Sequence, residues 1–221
     1  MLGGEMSTSS VISSLLMNIP WPEIIGNSIK YAGKLLRGYS QEGIYKVLDY
    51  ESTLEILDVE GKNAHFSKRK KVRYLQDNTI VYQDCAWGDG KILLNYQCNP
   101  GKAVDRYRFG YKTIILLSLH EIKNRGDVDD FHINWEAKDG FKKKEEFWET
   151  HISQKTKNFH ANLIFPKTRN PTRIRVEESN RRKTHSLSKD NFTYLPDGRL
   201  KVTWKKKNPR LYENYILKWR W

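Results

Sequence analysis

Asp105 and the Glu121-Ile122-Lys123 triplet are residue types that metal-assisted hydrolysis uses. Two carboxylates can hold a divalent cation, and a nearby lysine can position the attacking water. Glu121 and Lys123 stand two residues apart, so a strand would turn both to one face. Asp105, Glu121 and Lys123 are therefore a candidate catalytic set. A second kind of chemistry is more abundant. Arg and Lys crowd the last third of the chain, where they could grip phosphates or other anions.

The acidic residue followed by Glu-x-Lys resembles the pattern of the restriction-endonuclease-like nucleases. That resemblance implies a metal-dependent nuclease. Its fold flanks the sheet with helices, and residues 51–221 show no helical period to supply them.

Other catalytic patterns are absent. The six histidines, His65, His120, His132, His151, His160 and His185, make no His-x-x-x-His pair. Cys85 and Cys98 make no Cys-x-x-Cys pair, so the sequence offers no zinc donor set. His132 and Asn134, like His160 and Asn162, alternate with apolar residues and read as solvent-facing strand positions. No Gly-x-Ser-x-Gly element occurs. In "AWGDGK", Gly88 and Gly90 surround Asp89, but a strand pattern follows. A phosphate cradle opens a helix instead, so this segment reads as a turn. Nothing here calls for a cofactor or a resident metal.

The charge is unevenly distributed. Residues 150–221 hold eighteen Lys and Arg against five Asp and Glu, and thus the whole net charge of +13. Strand phase sorts these cations. Arg173 and Arg175 alternate with Ile174 and Val176; Arg199, Lys201 and Lys205 alternate with Leu200, Val202 and Trp204; Lys218 and Arg220 alternate with Leu217, Trp219 and Trp221. Each segment would bury its apolar row and expose its basic one. On a shared sheet they would form one cationic face. Loops add Arg181, Arg182 and Lys183, and the run Lys205 to Lys207. Arg173, Arg175, Arg181, Arg182, Lys183, Arg199, Lys201, Lys205, Lys218 and Arg220 are the candidate nucleic-acid-binding residues. The tract "SKRKKVR", Ser67 to Arg73, has the composition of a nuclear-import signal, but its strand-like neighbours favour a basic edge or a hairpin arm.

These residues need a scaffold, and the pattern predicts a mainly β one. From about residue 51 the hydrophobic period is two, with turn signals at "VEGK", "GDGK" and "NPGK". The run "YKTIILLSLHEIK" reads as a central strand buried on both faces. Roughly ten to twelve short, mostly antiparallel strands result, as in a β-sandwich or barrel. Ahead of them, residues 8–37 carry the stripes of two short amphipathic helices, broken at Pro20 and Pro22. The expected organisation is a helical arm over residues 1–45 and a β domain over residues 46–221.

Composition narrows the function classes. No stretch approaches the roughly 20 apolar residues of a membrane-spanning helix. The short apolar run near the start lacks a basic flank before it, so a cytoplasmic protein is expected. Two cysteines are too few for a disulfide scaffold and read as buried, reduced thiols. The leading expectation is a non-enzymatic module that binds an anionic polymer, nucleic acid foremost, through a cationic sheet face. The alternatives are an effector docking on a protein partner or anionic membrane through residues 8–37, and the nuclease.

Overall fold

The computed structural model describes residues 43–221. The two helices expected over residues 8–37 lie outside that range. The described chain is mainly β, with fourteen strands in three sheets.

The largest sheet has seven strands. In spatial order they are β12 (Phe192–Tyr194), β13 (Leu200–Lys207), β9 (Thr156–Phe165), β1 (Tyr45–Ile56), β2 (Asn63–Tyr74), β7 (Val128–Lys138) and β4 (Lys91–Asn99). The four-stranded sheet runs β11 (Lys183–Ser186), β10 (Arg173–Glu178), β14 (Asn214–Arg220), β8 (Glu145–His151). The three-stranded sheet runs β3 (Thr79–Ala86), β6 (Lys112–Lys123), β5 (Lys102–Phe109). β1 runs parallel to β9, and the other ladders are antiparallel. None of the three sheets closes on itself.

Alternation explains how the layers meet. Leu54 on β1 pairs with Phe66 on β2 and with Leu163 on β9, and Phe66 pairs with Trp135 on β7. These residues point to one face of the seven-stranded sheet. Both smaller sheets lie against that face. Tyr82 of the three-stranded sheet stacks on Phe131, with ring centroids 3.9 Å apart. Tyr215 and Trp219 of the four-stranded sheet pack on Phe159 and Phe165. One buried cluster draws residues from all three sheets. Fully burying such side chains contributes about 1.5–3 kcal/mol each.

β6 sits between β3 and β5, as its apolar run predicts. Ile114, Ile115, Leu117 and Leu119 are buried, whereas Ile122 is exposed. Three strands lack the expected pattern. β5 is exposed along nearly its whole length, and β11 and β12 are short edge strands. The turn expected at Gly88 to Lys91 joins β3 to β4. Gly90 adopts φ +74°, and a Cβ there would meet the Lys138 carbonyl oxygen at 2.2 Å, so this turn requires glycine.

The tract Ser67 to Arg73 is neither an edge nor wholly exposed. It forms a hairpin with β1, but β2 lies inside the sheet between β1 and β7. Arg69 and Lys71 face out, whereas Lys68 and Lys70 turn inward towards buried Asp84. Two lysines at apolar phase therefore occupy core positions. Cys85 and Cys98 are unpaired, and each is half-buried rather than buried.

Candidate functional site

β10 and β14 are adjacent and antiparallel, so their basic rows meet. Arg173 pairs with Arg220 and Arg175 with Lys218, and β8 sets Glu145 beside Arg220 and Phe147 beside Lys218. The third row is Glu177, Ile216 and Glu149. Ile174, Val176, Leu217 and Trp219 project the other way, towards the core. This phase turns Arg173, Arg175, Lys218 and Arg220 to the outside together. A shallow hollow of about 320 Å³ lies among them, bounded also by Glu145, Glu146, Phe147 and Trp219.

Carboxylates temper this face. Glu177 accepts from Arg175 at 2.8 Å and from Lys218 at 2.6 Å. Those partners, Lys218 foremost, hold its carboxyl below the usual range. Glu145 lies 3.6 Å from Arg220. Among the described residues Arg173 has no ion pair, although like charges directly opposite in a ladder are destabilising. Exposed pairs of this kind are worth about 0–1 kcal/mol each, so an incoming phosphate can displace them. Phe147 is 55% exposed beside Lys218.

The other basic candidates lie elsewhere. β13 belongs to the seven-stranded sheet, so its row does not join the rows of β10 and β14. Lys201 and Lys205 sit on that sheet's outer face, on the opposite side of the layered body. Arg199 precedes β13 and is tied to Glu55 and to Asp197. Arg181 and Arg182 form the turn between β10 and β11, and Lys183 opens β11. Lys206 is not a loop residue. It belongs to β13 and faces inward, with Nζ 2.6 Å from a Glu178 oxygen. Glu178 is fully buried and is also met by His185 at 2.8 Å and Arg181 at 3.4 Å. Burial opposes its ionisation, yet Lys206 and His185 hold its carboxyl below the usual range.

The nuclease set is not assembled. Asp105 pairs with Leu116 on β6, five positions along that strand from Glu121. At about 3.3 Å per residue their backbone positions stand roughly 16 Å apart along the strands, a poor placement for two ligands of one cation. Lys123 meets Glu121 at 3.3 Å, but it also pairs with Asp129 at 3.0 Å. Among the described residues, no three His, Cys, Asp or Glu side chains are grouped to hold a metal ion.

Sequence reasoning missed the interleaved acids Glu145, Glu149 and Glu177, because pairing partners depend on strand order. It also misread Asn162. That residue is on the outer face but buried, bonded to Glu51, Thr53 and Thr203.

No family model matches the chain, and no curated protein matches it. Among solved structures, the chain is similar to an M1 zinc metallopeptidase from Deinococcus radiodurans, at 11% identity and a TM-score of 0.45. The likeness covers 80% of this chain and 42% of that one, so the chain spans less than half of that protein's length. A likeness this slight assigns neither fold nor activity.

Proposed function

We propose that this protein is a non-enzymatic binding module that holds an anionic polymer, nucleic acid foremost, on the outer face of its four-stranded sheet. One observation carries this reading: Arg173 opposite Arg220, and Arg175 opposite Lys218, occupy successive outward rows of a single sheet beside a hollow. Successive rows are about 7 Å apart along the strands. Guanidinium forks suit phosphate oxygens, and among the described residues no carboxylate is ion-paired with Arg173. Phe147 offers a stacking surface for an unpaired base. Such contacts read backbone rather than sequence. Two smaller sheets lying against one face of a larger one support a layered, sandwich-like body over a barrel. Two unpaired cysteines suit a reducing, cytoplasmic compartment.

The test is fluorescence anisotropy with single-stranded and duplex DNA and RNA across a salt series. Arg173, Arg175, Lys218 and Arg220 changed together to Glu should abolish binding. Lys201→Glu with Lys205→Glu, on the opposite face, should leave it largely intact. The log–log salt slope of the parent protein should indicate roughly three to four displaced counterions. Equal affinity of the fourfold variant and the parent would sink the proposal.

A further inference from the structure

The β5–β6 hairpin ends in two largely exposed aromatic rings. Phe109 is 74% exposed and Tyr111 is 64% exposed. Between them Gly110 adopts φ +61°, with open space where a Cβ would project. Phe109 pairs with Lys112, so the turn has two residues and glycine at the first, where its positive φ is required. Trp87, just after β3, meets Tyr111 edge-on with centroids 6.3 Å apart. The Lys112 ammonium lies 4.9 Å from the Trp87 ring centroid and 5.4 Å from that of Tyr111. None of these rings belongs to the buried core.

Cations stand directly behind the rings. Residues 102–112 hold Lys102, Arg106, Arg108 and Lys112 against a single carboxylate, Asp105. Arg106 lies over the Tyr96 ring, while Arg108 is exposed next to Phe109. One strand residue is about 3.3 Å, so Arg108 and Lys112 sit just behind the tip. Aromatic rings at an apex with cations one step back match the depth profile of a membrane interface, where Trp and Tyr settle at headgroup level and Lys and Arg meet anionic lipid. A protein partner fits this shape poorly. A specific interface buries about 800 Å² on each side, which a two-residue turn does not offer.

We propose that this hairpin tip docks on an anionic lipid surface. Phe109, Tyr111 and Trp87 enter the boundary between headgroups and acyl chains, and Arg108 and Lys112 meet the anionic headgroups. The site shares no residue with the four-stranded sheet face and stands independently of the function proposed there.

The test is sedimentation of the full chain with vesicles of phosphatidylserine and phosphatidylcholine, against phosphatidylcholine alone. Binding should require phosphatidylserine and weaken with salt. Phe109→Ser with Tyr111→Ser should lower the partition coefficient by about tenfold or more, since both side chains lose apolar area that the lipid buries. Both positions are exposed, and an unchanged circular dichroism spectrum will confirm that the variant is folded. The fourfold Glu variant of the sheet face should still bind. Equal sedimentation of the Ser double variant and the parent overturns the proposal. So does failure of the parent to bind phosphatidylserine vesicles, which would leave the tip to a protein partner. Loss of vesicle binding in the fourfold variant alone also overturns it, by moving the contact to the sheet.

Discussion

Lys68 reaches inward from the seven-stranded sheet to Asp84 on the three-stranded sheet, with Nζ 3.1 Å from Oδ1. Lys70 stands 4.0 Å from the same oxygen, and the Asp84 side chain is wholly buried. Lys68 also donates to the Cys85 carbonyl, and Tyr96 donates to the second Asp84 oxygen. The ring faces of Trp135 and Tyr50 cover the two ammonium groups. Two buried cations thus share one carboxylate at the seam between sheets.

Removing that carboxylate strands both cations. Asp84→Asn should destabilise the fold by about 3–5 kcal/mol, the cost of breaking a buried pair from one side. Urea unfolding will measure it. Lys68→Met and Lys70→Met added to Asp84→Leu should recover much of the loss, because an apolar cluster of similar volume replaces the ionic one. An unmoved urea midpoint in Asp84→Asn would show that the seam does not depend on the ions.

Glu177 bridges Arg175 and Lys218 on the candidate binding face. Glu177→Gln should leave stability within about 1 kcal/mol, as expected for exposed pairs. It should tighten polyanion binding several-fold at low salt by freeing two cations, and anisotropy titration reads this directly. Weaker binding would mean that Glu177 orients the two cations rather than competing for them.

Glu178 gives the fold an acid limit. Lys206 and His185 lower its pKa against the pull of burial, from an ordinary value of 4.5. The folded state therefore favours the carboxylate, and this stability is fully present above the unfolded-state pKa. It is lost as pH falls through the lower native value. Glu178→Gln should destabilise the protein at neutral pH and flatten the loss of stability below about pH 4.5. Thermal melts across an acid pH series give the slopes. Parallel slopes for parent and variant would assign the acid limit to another carboxylate.

β14 pairs on both sides, with β10 and with β8, and buries Tyr215, Leu217 and Trp219. Deleting residues 215–221 should prevent folding of the four-stranded sheet and lower the melting temperature sharply. Leu217→Ala is the gentler probe, with an expected cost of about 2–5 kcal/mol. A melting temperature unchanged by the deletion would place the domain's stability in the other two sheets.

Much of this architecture is legible in the chain itself. The alternation of Arg173 and Arg175 with Ile174 and Val176, and of Lys218 and Arg220 with Leu217 and Trp219, determines by local geometry alone which side chains face out. The β character, the β1–β2 hairpin and the turn at Gly90 follow from period and turn chemistry in the same way. Tertiary structure decided which strands became neighbours. It set β14 beside β10 but carried β13 to another sheet, so a cationic face expected from three strands is built from two. It interleaved Glu145 and Glu177 among the cations. It also turned Lys68, Lys70 and Lys206 inward, where these positions at apolar phase meet Asp84 and Glu178, which lie on other sheets. Strand phase is a property of adjacent residues. Charge pairing depends on strand order and layer contacts between residues distant in the chain, and no local pattern encodes those.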